Sequence, residues 1–330
     1  MQDRAATRRT LVAGAAGALA VRGLAGGLPG GLALARTTPK PCATRTAGAR
    51  RMSLLIADGG RTLWTADPDA QAITAHRATD FAQRRSIAVG GVPVDLAISG
   101  HRAVVALGFY GPKTLAVVDL ATRKVVRRAE IGDDVRAVEL APDGRTAYVT
   151  GGGDKGWLRA FDTITGEAGP QLSLGRHPRG LALTGDGRHA VVALNGDAAV
   201  AVVALAKNLV VARVATGAFP YRVAVSPSGD HFAVSHNGFA ANHVAVFDVG
   251  ASKPVHRFRT GADPAGLAFA DGRTLVVAER GAGTISLYDR RTGRRRRRIA
   301  TTGHPALVAT HRGHAYVADE ETGLFAKVAI

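Results

Sequence analysis

From residue 48 onward the chain alternates strand-length apolar runs, dominated by Val, Ala and Leu, with polar turns built of Gly, Asp, Pro and Thr. Short runs bounded by turn residues predict strands, and none continues far enough for an ordinary globular helix. The runs recur. A glycine closes a similar strand at Gly48, Gly90, Gly132, Gly175, Gly217, Gly261 and Gly303, at intervals of 42, 42, 43, 42, 44 and 42 residues. A period near 42 accommodates four short strands with their turns, which is one propeller blade. Seven anchors therefore predict seven blades.

The unit that starts at Gly132 shows the internal order, with strands predicted over 135–140, 146–150, 158–162 and 171–174. Pro142-Asp143-Gly144 joins the first two, and Asp58-Gly59, Asp186-Gly187, Asp271-Gly272 and Ser228-Gly229 stand at the same place elsewhere. Asp-Gly between apolar runs predicts a tight antiparallel hairpin, because glycine accepts positive φ without steric cost. Third strands end at Asp119, Asp162, Asp248 and Asp289, with Thr122, Thr165 and Thr292 three residues after three of them. At a fixed repeat position such carboxylates read as turn residues that bind nearby amides rather than as catalytic groups. Only 27 residues follow Gly303, enough for three strands, while segment 42–47 sits in fourth-strand position with no blade before it. The predicted fold is all-β: a seven-bladed β-propeller of four-stranded antiparallel blades, its ring closed by an N-terminal strand that completes the last blade.

Ala147-Tyr148-Val149-Thr150 is nearly the tetrapeptide that names the YVTN-repeat propellers, and Val223-Ala224-Val225-Ser226-Pro227-Ser228-Gly229 resembles the segment preceding it. Over 48–330 the chain resembles this family of exported bacterial seven-bladed propellers with WD40-like repeats. It departs from the pattern in the fourth unit, where Val203-Ala204 replaces the expected Asp, and after Thr150, where the loop is Gly-rich. The resemblance implies a binding scaffold.

The N-terminal region is composed differently. Thr7-Arg8-Arg9-Thr10-Leu11-Val12 precedes an Ala/Gly/Leu-rich stretch that ends in Ala33-Leu34-Ala35. Charged, apolar and A-x-A segments in that order predict a cleaved export signal over 1–35, its paired arginines resembling the twin-arginine type. A linker over 36–41 and one propeller domain over 42–330 follow. Arg22 and nearby glycines interrupt the apolar stretch, and no long apolar run occurs later, so no stable membrane span is expected in the mature chain. A periplasmic, extracellular or cell-surface monomer is the expected form. Cys42 stands alone, which excludes an intramolecular disulfide and any CxxC site.

The formal net charge is +17, of which the first 35 residues carry +3 and the remainder +14. A field of that sign attracts nucleic acid, acidic polymers or anionic membranes. Arg294, Arg295, Arg296, Arg297 and Arg298 concentrate it in one run. That run falls in the outermost strand of the sixth unit, where arginines also discourage edge-to-edge pairing. Polyanion patch and protected edge both stay open.

In a propeller the loops from strand four to the next strand one, and from strand two to strand three, share one face around the channel. Loops held by a rigid scaffold concentrate function. The ligand-binding candidates on that face are His177, Arg179, Tyr221, Arg222, His236, Asn237, Glu279, Arg280, His304 and Asp319, with Asp95, Tyr110, Arg136, Asp154, Asp263 and Glu320 beside them. His177, His236, Glu279, His304 and Asp319 are metal-donor types, yet no tight ligand motif groups them, and neither metal nor cofactor is assigned. In a propeller enzyme of lactonase or lyase type, His177 and His304, each before a proline in equivalent loops, would be the acid/base candidates. The favoured expectation is recognition of a protein, polymer or small ligand without turnover, with the enzyme and polyanion readings as alternatives.

Overall fold

The computed structural model describes residues 42–44, 50, 52–108, 113–238, 242–250, 253–301 and 303–330. The segments assigned to the export signal and linker, the anchor Gly48 and Tyr110 lie outside the described residues. The chain forms seven four-stranded antiparallel sheets whose strands follow one another in sequence, except in the last. Blade 1 is Ser53–Ala57, Thr62–Asp67, Ala72–Arg77 and Gln83–Ala88. Blade 2 is Pro93–Ser99, Arg102–Leu107, Thr114–Asp119 and Lys124–Glu130. Blade 3 is Ala137–Leu140, Thr146–Gly151, Gly156–Asp162 and Leu172–Gly175. Blade 4 is Pro178–Leu183, His189–Leu194, Ala199–Ala204 and Leu209–Ala215. Blade 5 is Pro220–Val225, His231–His236, His243–Asp248 and His256–Arg259. Blade 6 is Pro264–Phe269, Thr274–Glu279, Thr284–Asp289 and Arg295–Ala300. Blade 7 contains Pro305–His311, His314–Asp319 and Phe325–Ala329. Its outer place is taken by Cys42–Thr44, paired antiparallel with Cys42 opposite Lys327 and Thr44 opposite Phe325.

The hydropathy pattern has a direct structural cause. Second and third strands, such as His189–Leu194, are covered on both faces by neighbouring blades and read as continuous apolar runs. Outer strands such as Lys124–Glu130 and Leu209–Ala215 alternate between exposed and covered positions. Among the described residues the core falls into seven clusters, one at each junction between successive blades. The cluster between blades 7 and 1 joins Leu54, Leu63 and Phe81 to Leu307, Tyr316 and Phe325, with Phe81 stacked on Phe325 at 5.3 Å. Packing as well as strand pairing thus joins the two ends.

The turns use the repeated aspartates as expected. Asp119 accepts the amides of Ala121 and Thr122 at 2.8 and 3.0 Å, and Asp162 those of Ile164 and Thr165 at 2.7 and 2.9 Å. Asp289 does the same for Arg291 and Thr292 at 3.0 and 3.2 Å. In the first hairpin of blade 3, Gly144 is left-handed at φ 67°. Gly272 departs from that expectation: it is not left-handed, and Asp271 holds its turn by accepting the amides of Arg273 and Thr274 at 2.7 and 2.6 Å. Blade 4, which lacks the third-strand Asp, turns through Leu205–Lys207 in 3₁₀ form, with Asn208 left-handed at φ 46°.

Arginines of third and outer strands tie blades 2, 3, 4 and 5 each to the blade before it. Arg128 donates to the Val89 carbonyl at 2.5 Å, Arg159 to Ile131 at 3.2 Å, Arg257 to Thr216 at 2.6 Å, and Arg213 to Leu174. Each accepting carbonyl directly precedes an anchor glycine, and each bond crosses from one blade to the one before it. The described anchors other than Gly261 take positive φ, which favours glycine. Gly175 is left-handed at φ 142°, and a Cβ there would collide with the carboxylate of Asp197 and the guanidinium of Arg213. Part of the basic excess is therefore used inside the fold.

Candidate functional site

The innermost strands of all seven blades face the axis and enclose a cavity of about 150 Å³. By repeat position Ser53, Asp95, Ala137, Gly180, Arg222, Gly266 and Leu307 share one level of it, and Glu139 stands two residues further along its strand. The small residues keep the upper level open. Asp95 is fixed, with Ser53 Oγ donating to one carboxylate oxygen and the Val138 amide to the other at 3.0 Å. Burial pushes the Asp95 carboxyl up, against the opposing pull of Arg222. Glu139 has no hydrogen-bond partner among the described residues, and burial, followed by the Asp95 charge, pushes it up to about 8. Glu139 also borders an opening at the far end of the channel, with Leu55, Asp58 and His101.

Above the channel, Arg136, Arg179, Arg222, Tyr221 and Asp134 line an adjoining mouth cavity of about 70 Å³, with Met52 and Arg222 common to both cavities. Blades 3, 4 and 5 each contribute one arginine. Arg136 is paired with Asp134 at 2.6 Å. Arg222 lies over the Tyr221 ring, 5.3 Å from its centroid; burial opposes its charge, and Tyr221, Asp95 and Glu320 outweigh that penalty. Arg179 makes no hydrogen bond or ion pair among the described residues, and burial, followed by the Arg136 charge, holds its pKa below the usual arginine value. A guanidinium offers five donors in a fixed fork and accepts nothing, so an unpaired one flanked by two others is complementary to carboxylate or phosphate. Phe219, left-handed at φ 56° and 49% exposed, ends the loop before the strand that carries Tyr221.

Arg179, Tyr221 and Arg222 are thus brought together as expected candidates for one site, and other candidates are engaged by the fold. His236 and Glu279 end second strands and are fully buried, which corrects their expected loop positions. His236 stacks on His243 at 4.0 Å with neither ring nitrogen bonded, and burial pushes it down to about 3. Glu279 accepts the Gly261 amide at 2.8 Å and the hydroxyls of Thr284, Ser286 and Tyr288 at 2.6, 2.8 and 2.7 Å. Burial alone would raise its carboxyl, and these bonds hold it below the usual range. Asp319, also buried, accepts the amides of His304, Glu321 and Thr322 at 2.7, 2.9 and 2.9 Å. Arg280 is clamped between Asp263, at 2.7 Å, and Glu320; burial works against its charge, and the two acids more than restore it.

Asn237 donates its backbone N–H to the Phe219 carbonyl at 3.0 Å. His177 Nε2 lies 3.2 Å from Asp154 beside blades 3 and 4, whereas His304 Nδ1 lies 3.1 Å from the Arg280 carbonyl beside blades 6 and 7. The two sit at different junctions. Among the described residues no three His, Cys, Asp or Glu side chains form a metal-ligating group. In the arginine run, Arg296 pairs with Asp289, Arg297 donates to the Ala329 carbonyl at 2.8 Å, and Arg298 donates to Thr284 at 3.2 Å. Arg294 and Arg295 are exposed. Glu139 lies inside an innermost strand, away from the loops that carry the other candidates. The signal was present: at its innermost-strand position other blades carry Leu55, Ala97, Ala182, Ala224, Ala268 and Ala309.

Fold and site define a seven-bladed β-propeller with a cationic mouth above a partly acidic channel. No protein-family model matches the sequence, and no curated protein matches it. Among solved structures the chain is similar to hydrazine synthase of Kuenenia stuttgartiensis, with a TM-score of 0.77 and 18% identity over 89% of this chain and 98% of that one. It is also similar to the Cps50 (Swd1) β-propeller domain of Myceliophteria thermophila, with a TM-score of 0.72 and 14% identity over 87% and 99% of the two chains. At these identities the likeness speaks for the fold alone.

Proposed function

We propose that this chain is an exported binding propeller of the YVTN-repeat kind whose channel mouth captures an anionic group without turnover. One observation carries the reading: Arg179 is withdrawn from water by the ring, lies in one cavity with Arg136 and Arg222, and has no acceptor among the described residues. A partly buried cation without a partner is costly to the fold, and an incoming carboxylate or phosphate oxygen removes that cost. Tyr221 supplies aromatic surface beside the charge, in keeping with the aromatic and arginine anchors of binding hot spots.

The test is calorimetric titration of the purified chain with hexanoate and with inorganic phosphate, each at low and physiological salt, on the parent and on Arg179→Gln. Binding that weakens with salt and falls at least tenfold in the variant supports the reading. Equal binding by both proteins, or none by either, overturns it. Export through the paired arginines is tested by cell fractionation of the parent and of the double variant Arg8→Lys, Arg9→Lys. Retention of the variant inside the cell is the expected result.

A further inference from the structure

The mouth and channel cavities adjoin, with Met52 and Arg222 lining both, and the sign of their charge changes along the axis. Arg136 and Arg179 stand outermost. Arg222 and Asp95 share the next level, and Glu139 lies two residues deeper, about 7 Å along its strand. At the Glu139 level every other blade carries Leu or Ala, so the carboxyl there has no neighbour of its own level to neutralise it. Both oxygens of Asp95 are engaged by Ser53 and Val138, whereas Glu139 has no donor among the described residues. A half-buried carboxyl facing a second carboxyl is unfavourable until a donor or a cation reaches it. Ala137, Gly180 and Gly266 leave the space through which one could.

We infer that the channel beneath the mouth is a second subsite, for an ammonium group, and that the ligand is a small ω-amino carboxylate whose acid is held by Arg136, Arg179 and Arg222 while its amine reaches Glu139. This rests on the anion-binding reading of the mouth. The order of charge along the two adjoining cavities matches such a molecule in one orientation only. Asp95 lies above Glu139, Arg222 shares the Asp95 level, and Asp58 and His101 border the opening below. Burial and the Asp95 charge push the Glu139 carboxyl up to about 8, so binding of the amine is expected to release a proton to solvent.

Calorimetry with 6-aminohexanoate, hexanoate and hexylammonium on the purified chain at pH 7 separates the two subsites. The expected result is at least tenfold tighter binding of 6-aminohexanoate than of hexanoate, with proton release revealed by buffers of different ionisation enthalpy. In Glu139→Gln the advantage of the amine disappears while hexanoate affinity is kept. Equal affinity of the parent for 6-aminohexanoate and hexanoate overturns the ammonium subsite and leaves the anion site standing. Binding of neither overturns both. Should Glu139→Gln fail to fold, the parent's ratio of the two affinities and its proton release decide the question alone.

Discussion

Arg179 and Arg280 stand on the same face of the ring, both largely covered, and their surroundings differ in one respect. Arg280 is held between Asp263 and Glu320, so the blade 6 and 7 side of the mouth is neutralised from within. Arg179 has two arginines beside it and, among the described residues, no acid bonded to it, so the blade 3 to 5 side carries a cation that those residues leave unpaired. A cation with internal partners contributes to folding; one without them opposes folding and awaits a ligand. Position on the binding face does not by itself mark a functional residue.

Four substitutions or conditions press on that difference. Charge reversal at Arg179→Glu is expected to weaken hexanoate and phosphate binding about 100-fold, corresponding to about 3 kcal/mol, whereas Arg280→Gln keeps binding within about twofold by calorimetry. A comparable loss in both variants would abolish the distinction between the two sides. Glu279→Ala strands four donors that now share one buried carboxylate. Denaturant unfolding is expected to show about 3 kcal/mol lower stability, with mouth binding unchanged.

The third effect is acid sensitivity. His236 falls from an ordinary value near 6.5 to about 3 on folding, so between those limits the unfolded chain binds a proton that the native state refuses. Its contribution is complete above about pH 6.5 and declines as pH falls, by about 2 kcal/mol at pH 5. Melting curves from pH 7.5 to 5 should fall less steeply for His236→Leu than for the parent. The smallest effect is expected on the rim. Arg294→Ser combined with Arg295→Ser should change stability by no more than about 0.5 kcal/mol and leave anion binding at the mouth intact; a lost anion signal would move the site to the run.

The blade count, the hairpins and the aspartate-capped turns were legible because each structural requirement recurs once per repeat. Asp119, Asp162 and Asp289 face the same amides in three blades, so their spacing reports their role. The mouth was legible in part, through Arg179, Tyr221 and Arg222 at repeat positions that face the axis. Glu279 and Asp319 misled for a physical reason: a carboxylate at a strand end can face solvent or fold back onto the preceding loop, and spacing does not distinguish the two. Glu279 folds back onto Gly261, and Asp319 onto His304. The arginine surplus was similarly ambiguous. A sum of charges cannot reveal that Arg128, Arg213 and Arg257 spend their donors on carbonyls of the preceding blade.

Those crossings, with the apolar junction between blades 7 and 1, have a thermodynamic consequence. In a linear repeat array each terminal unit touches one neighbour and frays first. A closed circle has no terminal unit, so the first blade to detach must break two junctions at once. Partial unfolding is thereby penalised more than in an open array of the same units, and hydrogen exchange in the second and third strands should report one shared opening event around the whole circumference.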